Sequence, residues 1–273
     1  MRSALAPWCL LLTLSPLAAA SVHAQFDHQH VAWTALLKKH VVLIDGGKAS
    51  TLRYAEIARE RTALKSYLES LARVDETEFR KWSKDQQLAF LINAYNASMV
   101  ELVLTRYPNL KSVRDFGKVL NNPFKMRFIK LFGRDYSLDM IEHETIRAKG
   151  VYDEPRIHMA VNCASIGCPM LREEAYIGER LDHQLEEQVV RFLSDRTRNR
   201  YNPQANALEV SEIFRWYRED FESGHKGIRN REQFFAKYAS HLADAPEREA
   251  QVRGEKAAIR HLDYDWRLND ARK

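Results

Sequence analysis

The stretch from Lys84 to Arg106 limits the possible folds of this chain most, because it predicts a long helix that is apolar on most of its sides. Ser83, followed three residues later by Gln86, forms a capping box, which satisfies two backbone donors at a helix start. Pro108 ends the pattern, since the residue before a proline disfavours helical backbone. A helix of this kind has to be buried, so the rest of the chain must surround it. Its two stripes consist of Leu88, Ile92, Tyr95, Met99 and Leu102, and of Ala89, Asn93, Asn96, Val100 and Val103.

Two amides, Asn93 and Asn96, lie one turn apart inside this apolar helix. A buried amide without partners costs roughly 1–3 kcal/mol, so both side chains need hydrogen-bond partners. They either bind the backbone of neighbouring segments or contact a substrate. Both residues are therefore candidate substrate-binding residues.

The composition is that of an ordinary folded protein. Of the 273 residues, 45% are hydrophobic and 29% are charged, which excludes an intrinsically disordered chain. The formal net charge is +5, yet acidic and basic residues alternate along the sequence. Because no basic stripe could follow a phosphate backbone, we expect no nucleic-acid partner.

Residues 1–24 predict an export signal. Arg2 supplies a positive charge, Trp8 to Leu17 form an apolar segment, and small residues lead to a cleavage site after Ala24. The apolar segment is shorter than the ~20 residues that a spanning helix needs, and we expect no transmembrane segment in the mature chain. The sequence thus predicts a periplasmic or secreted protein that has lost Cys9.

The remaining pattern predicts a mostly helical α+β fold with a small antiparallel sheet, as a single domain over residues 26–268. Asp45-Gly-Gly47 permits positive φ and predicts a hairpin turn, and Gly133 predicts a second one. Asp244–Lys256 is highly charged and predicts an irregular segment, followed by an edge strand within Ala258–Leu268. Further helices are predicted at Val31–Val41, Ala55–Val74, Ser137–Arg147, Ala175–Leu193, Ser211–Phe221 and Arg231–Leu242.

The candidate site lies in Arg156–Pro169, which contains both cysteines of the predicted mature chain. His158 and Asn162 share one face whether the backbone is a strand or a helix, and Cys163 lies on another. A catalytic Cys163 would therefore take its base from elsewhere, whereas Cys168 could turn back towards His158.

His143 is the candidate base for Cys163, with Glu142 or Asn162 orienting an imidazole ring. An acid beside a histidine on a helix is also typical of a solvated face. Arg156 has two interpretations as well: it pairs with buried acids such as Asp139, or it binds a substrate.

Three interpretations remain open for the cysteines. An exported protein favours a Cys163–Cys168 disulfide, which would contribute roughly 2 kcal/mol across so short a loop. Alternatively, one thiol is a catalytic nucleophile. The third interpretation is a metal site with His143 and His158, but the spacing fits no standard zinc pattern.

Five segments, in this order along the chain, match a known family: Ala89–Ala97, Tyr136–His143, Pro155–Pro169, Ser211–Tyr217 and Tyr264–Asn269. Through them the chain resembles the family named domain of unknown function 547. Leu91 differs from the tryptophan that is frequent in the family, a core change that leaves the polar residues intact. The family has no settled activity, so the resemblance implies where the site lies. By analogy it also implies a fold similar to papain-like cysteine peptidases.

We therefore predict an exported enzyme-like domain, a thiol-dependent hydrolase or acyl transferase that acts on a small-molecule or peptide ligand and needs no cofactor or metal. The alternative is a non-catalytic envelope binding or scaffold module with a Cys163–Cys168 disulfide. The candidate catalytic residues are Cys163, Cys168, His158, His143 and Glu142, and the candidate substrate-binding residues are Asn93, Asn96, Asn162 and Arg156.

Overall fold

The computed structural model of the chain describes residues 25–117 and 122–271. The predicted signal peptide, with its cleavage site after Ala24 and with Cys9, lies outside the described residues.

The helix predicted from Lys84 onwards is confirmed and runs from Lys84 to Leu104. Its capping box is complete: the Gln86 amide N–H donates to Ser83 Oγ at 3.2 Å, and the Ser83 amide N–H donates to Gln86 Oε1 at 3.1 Å. Among the described residues it is the one helix long and apolar enough to cross a membrane, but 94% of the apolar window is buried inside the protein. It is the central helix of the core.

The elements around this helix make the fold α+β, as predicted. The helices are α1 Val31–His40, α2 Tyr54–Ile57, α3 Arg61–Ala72, α4 Glu76–Lys81, α5 Lys84–Leu104, α6 Leu181–Ser194, α7 Ile213–Trp216, α8 Arg218–Phe221, α9 Arg231–Lys237, α10 Ala239–Leu242 and α11 Pro246–Arg253. The strands are β1 Val41–Ile44, β2 Ala49–Leu52, β3 Ile129–Leu131, β4 Arg134–Tyr136, β5 Arg200–Asn202, β6 Ala207–Ser211 and β7 Ala258–Leu262.

The two predicted hairpins are present, β1 with β2 and β3 with β4, both antiparallel. The third sheet is mixed, because β6 pairs antiparallel with β5 but parallel with β7. The two hairpins confirm the predicted small antiparallel sheet, and the third sheet adds a parallel pair to it. A parallel pair needs a long crossover connection, and helices α7–α11 supply it.

The apolar core forms two clusters. The first surrounds α5 and extends from α1 to the start of α6. The second lies between α6, β6 and helices α7–α11, with Phe192, Phe214 and Phe235 fully buried. Ile157 and Ala160 belong to the first cluster and Met159 to the second, so the cysteine-containing segment lies between them.

Several predicted helices are interrupted in the structure, and the local backbone differs most from the predictions in three segments. Helix α6 begins at Leu181 rather than Ala175, because the amide N–H groups of Ala175 and Tyr176 donate to side chains of α1 and α5 instead of forming a helix. The segment predicted as irregular contains α11, which has Pro246 in its first turn and complementary charges at its ends. The segment predicted as an α-helix from Ser137 is a π-helix over Met140–Ile146.

The end of the chain binds to three distant segments. The amide N–H of Asn269 donates to Ala164 O, and the amide N–H of Ile166 donates to Arg267 O. The amide N–H of Leu268 donates to Lys111 O, and that of Leu52 in β2 donates to Asn269 O. We call residues 263–271 the C-terminal segment; it holds the cysteine loop, 160–170, against the first cluster.

Candidate functional site

A cavity of about 180 Å³ opens where the two clusters meet. Five of its lining residues were predicted as catalytic: Cys163, Cys168, His158, His143 and Glu142. The other lining residues are mostly aromatic. They are Tyr95, Phe124, Asp139, Val161, Ile213, Trp216, Tyr217, Tyr264 and Trp266.

Both cysteines are free thiols in the structure, Cys163 partly exposed and Cys168 buried. The Cys163 amide N–H donates to Cys168 Sγ at 3.0 Å, and Cys163 Sγ lies 3.1 Å from the Tyr264 hydroxyl oxygen. The Cys168 thiol also hydrogen-bonds to the Cys163 sulfur. This bond and the Tyr264 hydroxyl outweigh burial and lower the pKa of Cys163 to about 7. Burial and the neighbouring Cys163 raise the pKa of Cys168 well above that of a free thiol.

The backbone next to Cys163 is strained. Ala164 has a φ of 60°, a left-handed conformation that a residue with a side chain rarely adopts. Asn162 holds this turn, because its Oδ1 accepts from the Ala164 amide N–H at 3.0 Å and its amide group donates to Pro169 O at 2.8 Å. Asn162 thus shapes the cysteine loop from inside the protein.

His158 is buried on a 3-10 helix over Pro155–Met159, and its ring is fixed on two sides. Its Nε2 lies 2.7 Å from Asp220 Oδ2, and the Tyr217 ring stacks on it with centroids 3.7 Å apart. Burial lowers the pKa of His158, although Asp220 and Glu142 oppose this shift. The ring is therefore neutral near pH 7, with its proton on Nε2 and donated to Asp220.

Arg147 anchors Asp220 in turn. Its guanidinium donates to both carboxylate oxygens, at 2.6 and 3.0 Å, in a bidentate pair. Burial opposes ionisation of Asp220, but the hydrogen bonds from His158 and Arg147 outweigh it and hold the pKa of Asp220 far below its usual range. Asp220 is therefore ionised at neutral pH and fixes the orientation of His158.

Glu142 enters the cavity from the π-helix. In this helix the Arg147 amide N–H bonds to Glu142 O, five residues back. Single π-turns of this kind are frequent at functional sites. The Glu142 carboxylate is buried, and its Oε1 lies 3.9 Å from His158 Nδ1. Within residues 25–117 and 122–271, neither atom has a hydrogen-bond partner.

His143 lies at the outer side of the cavity and is exposed. Its Nδ1 lies 2.7 Å from an Arg147 nitrogen. Because an arginine guanidinium can only donate, His143 Nδ1 is the acceptor of this hydrogen bond. Its Nε2 is 3.9 Å from Asp139 Oδ1.

The other predicted substrate-binding residues form structural contacts. Asn93 bonds both backbone groups of Tyr176, at 2.7 and 3.0 Å. Asn96 donates to Ala160 O at 2.9 Å and accepts from the Asn162 amide N–H at 2.8 Å. None of Asn93, Asn96, Asn162 and Arg156 lines the cavity.

Arg156 is buried and forms ion pairs with Glu154, Asp182 and Glu186 at 2.7, 2.6 and 3.0 Å. Arg156 therefore pairs with acidic side chains, as one of its two interpretations predicted, but Asp139 is not among these three partners.

Asp220 and Arg147 were not predicted from the sequence, and Tyr217 was included there only as the end of a matching segment. The sequence contained one indication that Tyr217 and Asp220 belong together. They are three residues apart and face the same side of a helical segment. Tyr264 and Trp266 lie in the segment Tyr264–Asn269, which was linked to the site only by the family resemblance.

Among the described residues, no three of His, Cys, Asp and Glu are arranged to hold a metal ion.

Residues 79–193 match a family described as "Protein of unknown function, DUF547". The match contains Glu142, His158 and both cysteines, and it ends before Asp220 and the aromatic side of the cavity. No curated protein and no solved structure matches the chain, so the similarity to papain-like peptidases stays a prediction.

Proposed function

We propose that this chain, which belongs through residues 79–193 to the DUF547 family, is a thiol-dependent hydrolase or acyl transferase with Cys163 as its nucleophile. One observation carries the proposal: a partly exposed thiol with a pKa of about 7 lines the same cavity as an oriented histidine and a buried carboxylate. A thiolate that forms near neutral pH is the species that attacks acyl carbon.

In the proposed reaction, the Cys163 thiolate attacks a carbonyl carbon and the leaving group departs with a proton. The resulting thioester is then cleaved by water or by a second acceptor, which regenerates the thiol. Cys168 donates to the Cys163 sulfur and so favours its thiolate form. In this scheme Cys163 is the nucleophile and Cys168 an assisting donor.

We assign proton transfer to His158 rather than to the previously expected His143. The His158 Nε2–H is held by Asp220, and Nδ1 faces Glu142 with no hydrogen-bond partner in the described part of the chain. An acid that fixes one ring nitrogen while the other serves the reaction is the arrangement that acyl-transfer enzymes use. His143 already accepts from Arg147 at the outer side of the cavity.

An activated ester tests the proposal. Incubation with p-nitrophenyl acetate should give a burst of nitrophenol and one acetyl group on Cys163, found by peptide mass spectrometry. Cys163→Ala should abolish both the burst and the label. Cys168→Ser is the matched control, and it should keep the label on Cys163. Acetylation elsewhere, or an unchanged burst in Cys163→Ala, would contradict the role of Cys163.

The alternative function, a non-catalytic envelope binding or scaffold module with a Cys163–Cys168 disulfide, is supported by the position of the two thiols in the lining of one cavity. An oxidising compartment could join these sulfurs. Intact mass without reductant, before and after alkylation, distinguishes the two functions. A protein two hydrogens lighter that does not alkylate supports the module, and alkylation of Cys163 in a protein of full mass supports the thiol enzyme.

We also propose export to the periplasm or beyond, on the basis of the sequence of residues 1–24. A mature N-terminus at Gln25 in the extracytoplasmic fraction is the expected result, and an uncleaved chain in the cytoplasm would contradict it.

A further inference from the structure

The inner end of the cavity contains two buried acceptor atoms, Glu142 Oε1 and His158 Nδ1, and neither has a hydrogen-bond partner among the residues that the structure describes. Glu142 Oε1 and His158 Nδ1 are 3.9 Å apart, and their side chains are only 6% and 1% exposed. Because the Nε2 proton of His158 is donated to Asp220, its Nδ1 presents a lone pair. A buried acceptor that stays unpaired destabilises the site, so the site favours a ligand with several N–H donors.

The charges around these acceptors favour a cation. Glu142 and Asp139 line the cavity, and Asp220 lies behind His158. The nearest guanidinium, Arg147, is bound to both oxygens of Asp220 and to His143. Lys125, which acts on Asp139, is exposed to solvent. No cation is directed at Glu142 Oε1 within the described part of the chain.

The lining of the cavity offers aromatic faces to such a ligand. Tyr217 stacks on His158, and Tyr95 lines the same cavity. Trp216, Tyr264 and Trp266 contact one another at the mouth, with centroids 4.6 to 5.7 Å apart. Aromatic faces attract ammonium groups, and a carboxylate beside them strengthens the binding.

We propose that this cavity binds a primary ammonium group, whose N–H bonds go to Glu142 Oε1 and His158 Nδ1. If Cys163 performs acyl transfer, as proposed above, the amine belongs to the substrate, either as the donor's leaving group or as the acceptor. The binding site itself does not depend on that chemistry.

Charged thiol reagents test this inference, because they report the charge preference at Cys163. In each reaction the thiolate attacks the sulfenyl sulfur of a methanethiosulfonate, a mixed disulfide forms and methanesulfinate leaves. We compare the cationic aminoethyl reagent with the anionic sulfonatoethyl reagent, and normalise both rates to a small free thiol. The cation should react with Cys163 at least about tenfold faster.

Two variants identify the source of the preference. Glu142→Gln should reduce it severalfold. Glu144→Gln makes the same change at an exposed position two residues away and should keep it. Since Glu142→Gln could disturb folding, Asp139→Asn is the second variant, and it should lower the ratio by a smaller factor. Equal rates for both reagents, or a ratio that neither cavity variant changes, would overturn the inference.

A neutral reagent gives an independent measurement. Propylammonium should slow the alkylation of Cys163 by iodoacetamide, whereas 1-propanol, of similar shape, should not. Equal protection by the alcohol would mean that the site selects apolar chains and would overturn the inference. If the charge preference is present but the ester leaves no acetyl group on Cys163, the proposed function fails and the ammonium site stands.

Discussion

At the scale of single residues, one hydrogen bond between the two thiols gives them different pKa values. Burial opposes ionisation of both thiols, but Cys168 donates to Cys163, which lowers the pKa of Cys163 and raises that of Cys168. The sequence could identify both as candidates and could not rank them. The ranking depends on the strained turn at Ala164 and on a tyrosine far away along the chain, Tyr264.

This asymmetry predicts how Cys168 substitutions change the acidity of Cys163. In the wild type, the rate of alkylation of Cys163 should rise with pH to a midpoint near 7. Cys168→Ala removes the donor that stabilises the thiolate, so the midpoint should move up, towards the pKa of about 8.5 of a free thiol. Cys168→Ser keeps a hydroxyl donor and should give a midpoint between the two. A midpoint that stays near 7 in Cys168→Ala would contradict the role of the hydrogen bond.

At the scale of elements, helix α5 could be predicted because its information is local. The capping box, the two apolar stripes and Pro108 all lie within or next to the helix. The start of α6 could not be predicted, since Ala175 and Tyr176 bind distant side chains. The π-helix was missed because one extra residue in a turn leaves the apolar pattern nearly unchanged.

The asparagines of α5 connect this helix to the loops around the site, which predicts their effect on stability. Asn93→Ala leaves both backbone groups of Tyr176 unpaired inside the protein. The free energy of unfolding should fall by about 3 kcal/mol, as measured by urea denaturation. Asn109→Ala, at an exposed position, is the control and should change it by no more than about 0.5 kcal/mol. A loss below about 1 kcal/mol for Asn93→Ala would argue for a role other than the backbone contact.

At the scale of the whole molecule, the cavity is assembled from segments that the sequence cannot bring together. Glu142 comes from the π-helix, His158 from the 3-10 helix, Asp220 from α8 and Tyr264 from the C-terminal segment. Spacing within one motif predicted His158 and Cys163, and the family resemblance pointed to the segments of Glu142 and Tyr264, but neither pointed to Asp220. The pairing of His158 with Asp220 depends on how the two clusters pack, which no local pattern encodes.

Gly167 fixes the C-terminal segment against the cysteine loop, since a Cβ here would lie 2.9 Å from the Asp265 amide nitrogen and 3.1 Å from the Tyr264 ring. Gly167→Ala should push Tyr264 away, destabilise the protein by about 1–3 kcal/mol and raise the pKa of Cys163. Urea denaturation and the pH profile of alkylation measure the two effects. Tyr264→Phe removes only the hydroxyl and should raise the pKa with a smaller loss of stability. An unchanged pKa in both variants would exclude Tyr264 as a donor to Cys163.

The C-terminal segment also makes the reactivity of the thiol depend on a distant part of the chain. Ala164 and Ile166, which lie between the two cysteines, bind to Asn269 and Arg267. A proteolytic cut that releases this segment would remove these backbone contacts together with the Tyr264 hydroxyl. Such a cut would raise the pKa of Cys163 and silence the sulfur without touching either cysteine.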